Sequence, residues 1–182
     1  MRNLPYDDFS DWYVLQVMKD REAIIKKKLE RILQNNIHLM LFTKELIHNK
    51  KGNNIKILYP LFPGYLFVNK YIREVCFAAK NHMKNEFIKS VGFSGSPSKV
   101  LSEEMFMLLN NSDENGIFRL SSVVQKNDDI RIINGPLKNI NGKIEFINKK
   151  KKKAKVIVKL FNKEVSISLG LDFIEAKENR VC

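Results

Sequence analysis

The chain has 182 residues, 44% of them hydrophobic, with 32 Lys and Arg against 20 Asp and Glu for a net charge of +12. That length suits one large domain or two small ones, and no apolar run approaches the roughly 20 residues of a membrane-spanning helix. The start, MRNLPYDDFSDWYV, lacks a basic region followed by an apolar stretch, so no secretory signal is expected and cytoplasmic residence is the default.

Residues 12–17, WYVLQV, read as a buried strand. Asp20 is the expected N-cap of a helix running to about Gln34, whose Ile25, Leu29, Ile32 and Leu33 follow helical spacing. At about 100° per residue, Lys27, Lys28 and Arg31 fall on the opposite face, which is either a solvated face or a basic surface for nucleic acid. Residues 39–44 suit a strand, and 48–54, HNKKGNN, a polar hairpin loop turning at Gly52. IKILY at 55–59 and GYLFV at 64–68 are strand-like; a helix is expected over 72–84. VGFSGSP at 91–97 reads as a strand entering a turn. Ser102 is a candidate cap for a last helix with Glu103 and Glu104 in its first turn and Met105, Phe106, Leu108 and Leu109 on its buried face. This alternation predicts an α/β sandwich over residues 1–110.

Residues 111–124 open on a polar, Gly-containing stretch and read as a linker. From 125 to 182 the pattern changes to period 2: Ile130 with Ile132, Ile144 with Phe146, then Ala154, Val156, Val158 and Leu160, then Val165, Ile167 and Leu169. Short alternating segments predict a small all-β barrel. The fold class is therefore α+β, two domains joined by a linker. Charge divides unevenly: residues 1–120 carry 18 basic and 13 acidic side chains, residues 121–182 carry 14 and 7. A chain rich in Lys, Asn and Ile gains some charge by base-composition drift, so placement says more than the sum.

Cys76 and Cys182 form no CxxC pair, and His38, His48 and His82 are scattered, so neither a disulfide framework nor a zinc site is expected. Cys76 belongs on an apolar helix face and Cys182 is a tail thiol. Asp7, Asp8 and Asp11 look like a solvated start. The stretch Gly135 to Lys143 has the wrong glycine interval for a phosphate-binding loop, and Ile144 stands where Ser or Thr would hold magnesium. No catalytic constellation, cofactor or metal is expected.

Three ordered segments resemble the NusG superfamily of transcription elongation factors. They are Trp12-Tyr13-Val14 before a helix; Leu61-Phe62-Pro63-Gly64-Tyr65-Leu66-Phe67-Val68 followed by Val91-Gly92-Phe93-Ser94-Gly95; and Asp128-Asp129-Ile130-Arg131-Ile132 through Gly135-Pro136-Leu137 to Gly142-Lys143-Ile144, similar to a KOW motif. Asn139 replaces a usual Gly, a mild departure because Asn tolerates left-handed backbone. Gly142 is expected to supply a positive φ or a close backbone approach. The resemblance implies an N-terminal domain binding the clamp helices of RNA polymerase, with Phe62, Tyr65 and Phe67 matching aromatic contact positions. Residues 65 and 67 share one strand face; these rings are either presented or simply core, and presentation of Tyr65 and Phe67 is the expectation. The implied factor is a monomer and not an enzyme; it disfavours pausing by bridging the clamp.

Two features lean toward a specialised antiterminator of LoaP type. Lys149, Lys150, Lys151, Lys152 and Lys153 form a run between two barrel strands; five adjacent like charges repel, add nothing evident to folding and suit phosphates. Lys138, Lys143 and Lys155 extend the patch, which the resemblance assigns to a nascent RNA hairpin; the alternative is a solvated lysine-rich loop. Second, Leu160 to Leu169 lacks the TPVEL character by which general factors meet a ribosomal protein or Rho. Lys27, Lys28 and Arg31 are candidate contacts to non-template DNA. The alternative function is a general NusG-type elongation factor; a third is a translation-associated RNA-binding protein, against which the LFPGY segment speaks.

Overall fold

The computed structural model describes residues 11–34, 37–93, 96–126, 129–161 and 163–174. Asp7, Asp8, Ser94, Gly95, Asp128 and Cys182, named above, lie outside them. The chain runs through β1 (Trp12–Val17), α1 (Glu22–Ile32), β2 (His38–Met40), β3 (Thr43–Lys50), β4 (Asn53–Pro60), β5 (Tyr65–Asn69), α2 (Ile72–His82), β6 (Ile88–Ser90), β7 (Gly92–Phe93), β8 (Ser96–Pro97) and α3 (Ser102–Asn110). It continues through β9 (Ile117–Phe118), β10 (Ser121–Lys126), β11 (Asp129–Asn134), α4 (Pro136–Asn139), β12 (Gly142–Asn148), β13 (Lys153–Leu160) and β14 (Lys163–Ile174). Contacts divide the chain into two units, one of residues 1–42, 62–110 and 114–116, the other of residues 43–61, 111–113 and 117–182. No helix among the described residues is long and apolar enough to cross a membrane.

In the first unit β2, β5, β1 and β6 form an antiparallel sheet in that order. Its Leu15, Val17, Leu39, Leu66 and Val68 cluster with Ile25 and Leu29 of α1 and Ile72, Val75 and Ala79 of α2. Each large aliphatic side chain buried there contributes about 1.5–3 kcal/mol. On the opposite sheet face Trp12, Val14, Phe67 and Met40 are also buried. A sheet covered on both faces explains the near-continuous apolar runs of β1 and β5.

Local structure departs from the sequence expectations in several places; on α3 Phe106, expected on the buried face, is 51% exposed, while Met105, Leu108 and Leu109 are buried. Asp20 does not cap α1: it takes left-handed backbone at φ 66° and makes the turn, while Arg21 stands at the N-cap. Asp tolerates that region better than most residues. The strand expected over 39–44 is split, its first part in β2 and its last opening β3. Residues 111–124, expected as a linker, hold β9 and the start of β10, with Phe118, Ser121 and Val123 wholly buried. The polar residues that suggested a linker fold locally instead: Ile117 N–H donates to Asp113 Oδ1 at 2.9 Å, and Arg119 Nε to Asp113 Oδ2 at 2.8 Å.

The second unit contains a curled sheet in the order β11-β10-β14-β13-β12, with β10 and β14 parallel and the other pairs antiparallel. The hairpin β3–β4, joined by β9, belongs to this unit by its contacts. β13 follows the expected alternation: Ala154, Val156, Val158 and Leu160 are buried between more exposed neighbours. Pro136 opens α4, where its missing N–H costs nothing. Asn139 sits inside that helix, not in left-handed backbone. Gly142 serves close approach: a Cβ there would lie 2.8 Å from the Ile157 carbonyl oxygen.

Candidate nucleic-acid interface

The lysine run does not form one uniform loop. Asn148 Oδ1 accepts the Lys151 N–H at 2.8 Å, and the Lys149 carbonyl accepts the Lys152 N–H at 3.1 Å. Lys152 closes the turn in left-handed backbone, φ 46°, and its carbonyl accepts Leu171 N–H at 2.8 Å. Lys149, Lys150 and Lys151 are exposed, whereas Lys152 and Lys153 are half-buried. Lys153 begins β13, opposite Asn148 on one side and Gly170 on the other. Its charge adds to burial, the larger cause, in holding the Lys44 ammonium below the ordinary lysine value.

Register places the remaining lysines. Lys143 lies opposite Ile157, and Lys153, Lys155, Ile157 and Lys159 occupy the outward positions of β13, away from the buried Ala154, Val156 and Val158. Lys143, Lys153 and Lys155 therefore share one sheet face, to which Lys159 adds a cation that sequence reasoning missed. Lys155 Nζ is paired with Glu145 Oε2 at 2.6 Å. Lys138 lies on a different element from the other lysines. It is exposed in α4, the short helix that precedes β12 and Lys143.

β12 also carries a bulge. Ile144 pairs with Val156 but Phe146 pairs with Lys155, so two steps along β12 match one along β13 and Glu145 is the extra residue. Ile144 and Phe146, expected on one face, are thereby turned apart. Ile147 takes the inward place opposite buried Ala154, and Phe146 emerges 49% exposed beside Lys155. Nothing in the residue types of KIEFIN signals the bulge.

Of the two rings expected to be presented, Tyr65 and Phe67, one is core. Phe67 is buried, with the Phe42 ring edge-on at 5.0 Å between centroids and Phe62 tilted at 5.9 Å. Phe62 is buried too. The expectation of presentation at residue 67 is corrected: both faces of β5 are covered from Leu66 to Val68, so sharing a face with Tyr65 does not expose it. Tyr65, at the end of the strand opposite Gln16, remains 37% exposed. The turn before it is held by a residue the sequence did not single out. Buried Glu22 accepts the Gly64 N–H at 2.6 Å, and the Gly64 carbonyl accepts Val17 N–H at 2.8 Å. Gly64 has φ 85°, which favours glycine.

On α1, Lys27, Lys28 and Arg31 are all exposed. Lys28 is engaged: its Nζ lies 2.7 Å from Glu86 Oε1, which Arg21 also contacts at 2.9 Å. The Lys28 hydrogen bond is the main cause holding the Glu86 carboxyl below the usual range. Cys76 packs against the core cluster, and burial raises its thiol pKa.

The family model for transcription termination factor NusG matches residues 10–109. The transcription termination/antitermination protein NusG of Buchnera aphidicola subsp. Baizongia pistaciae is 26% identical over 182 residues, covering 92% of this chain and 96% of the relative. Those of Halalkalibacterium halodurans and Escherichia coli K12 are each 24% identical, covering 91% and 90% of this chain and 97% and 94% of their own. A solved structure described as domain interaction in Thermotoga maritima NusG aligns with a TM-score of 0.50 at 20% identity, covering 89% of this chain and 94% of that one.

Proposed function

Because this chain belongs to the NusG family of transcription factors, we propose that it is a processive antitermination factor of LoaP type. In this reading residues 1–110 hold RNA polymerase at its clamp helices, with Tyr65 as the aromatic contact. The C-terminal barrel takes a structured nascent RNA through Lys149, Lys150 and Lys151, backed by Lys143, Lys153 and Lys155. The observation that carries it is the lysine turn: three exposed like charges on an ordered turn, continued by lysines on one strand face. Side chains so placed add nothing evident to packing and suit phosphate oxygens. In the same reading Lys27 and Arg31, both exposed, contact DNA in the transcription bubble.

A second reading has its own support. The curated relatives named above match nearly end to end and are termination/antitermination proteins. A general factor would use its barrel for a ribosomal protein or Rho. Against it, Leu160 to Leu169 lacks the TPVEL character. Transcription in vitro through a terminator, with and without the leader of the neighbouring operon, separates the two. Leader-dependent read-through that is lost on replacing Lys149, Lys150 and Lys151 by Ser supports the antiterminator. Read-through indifferent to the leader supports the general factor.

A further inference from the structure

We propose that Phe146 is a stacking platform for an unpaired base of the bound RNA, so that the barrel takes a looped or bulged RNA and not a continuous duplex. The inference rests on the RNA-binding reading above and names the ligand's form. Four observations carry it. Phe146 is a large aromatic, 49% exposed in mid-strand. The bulge at Glu145 puts it there, moving Ile147 inward in its place. Bulges re-aim side chains, and here the displaced side chain is the ring. Its directly paired neighbour is Lys155, whose next partner across the sheet is Ser168; the pair before it is Lys143 with Ile157 and Ser166. The ring is thus set among cations and hydroxyls on the lysine face and not within an apolar patch.

The chemistry follows from that surrounding. A flat ring with cations one strand position away offers a π-face to a nucleobase and ammonium groups to the flanking phosphates. A base inside a regular A-form helix cannot reach such a ring, whereas a splayed base in a loop or bulge can. Lys155, opposite the ring, is paired with Glu145 at 2.6 Å; Lys143 and the turn lysines supply further charge.

The test uses the full chain and two RNAs of equal length: a hairpin with a uridine-rich single-stranded loop, and a blunt duplex. Phe146→Leu should weaken binding of the looped RNA by about tenfold, the loss expected on removing one base–aromatic stack. It should leave duplex binding and the salt slope unchanged, since no phosphate contact is lost. F146W should keep the affinity, and its indole fluorescence should be quenched by the looped RNA alone; the chain's one Trp, Trp12, is wholly buried. Unchanged affinity of F146L for the looped RNA would overturn the platform, and so would equal losses on both RNAs. If the Lys149, Lys150 and Lys151 to Ser variant still loses RNA while F146L does not, RNA binding stands and the platform falls. Failure of the wild type to bind either RNA removes both.

Discussion

Glu22 offers a sharp test of how the fold sets the end of β5. Its buried carboxylate accepts the Gly64 N–H at 2.6 Å and so ties the first turn of α1 to the turn that presents Tyr65. Glu22→Ala leaves that buried N–H without its acceptor, a loss of about 1–3 kcal/mol. It also removes a negative charge from the positive end of α1, worth about 0.3–1 kcal/mol. The sum is near 2 kcal/mol, and at about 2–4 °C per kcal/mol for a chain of this size the melting point should fall by about 4–8 °C. Glu22→Gln keeps a neutral acceptor, and since a charge-assisted hydrogen bond is about twice as strong as a neutral one, it should lose about half as much. Trp12 is buried in the same unit, so its fluorescence reports the relevant transition. If Glu22→Ala melts within about 1 °C of the wild type, the carboxylate is not holding the turn.

Three other perturbations bear on the fold and its surfaces. Tyr65→Ala should weaken polymerase capture while leaving stability within about 0.5 kcal/mol, whereas Phe67→Ala should cost about 3–5 kcal/mol in denaturant unfolding; the reverse pattern would contradict the assignment of Phe67 to the core. Gly170→Ala would drive a Cβ to 2.3 Å from the Glu45 carbonyl oxygen, so strands β14 or β3 must shift; a loss of about 1–3 kcal/mol is expected in the same measurement. Glu86 titrates below the ordinary glutamate range, chiefly through Lys28, so its contribution is complete above that range and is lost as pH falls through the depressed value. Melting curves should therefore separate wild type from Glu86→Gln at neutral pH and converge in strong acid.

The sequence was most legible where one physical rule acted alone. Ala154, Val156, Val158 and Leu160 alternate because β13 has a core on one face only, and the structure buries those four. It was least legible where tertiary context intervened. Alternation said that Tyr65 and Phe67 share a face, but not that Phe42 and Phe62 would close over one of them. The polar stretch 111–116 looked like a linker because its hydrogen bonds to Ile117 and Arg119 are invisible in composition. The bulge at Glu145 depends on the register with β13, not on residue type, so the exposure of Phe146 could not be read from KIEFIN. Gly142 left two explanations open, and close packing against Ile157 decides between them.

We propose that the barrel reads structured RNA through its lysine turn. The direct measurement is binding of the full chain to the operon's leader hairpin across a salt series, against a scrambled hairpin, for the wild type and for the variant with Lys149, Lys150 and Lys151 replaced by Ser. Three lost phosphate contacts should flatten the slope of log affinity against log salt by about 2–3, at about 0.7–0.9 per contact. Tight wild-type binding to the leader hairpin that survives moderate salt, together with that flattened slope in the variant, is the expected result. Weak, steeply salt-dependent binding to every RNA would contradict it and make the general elongation factor the better description.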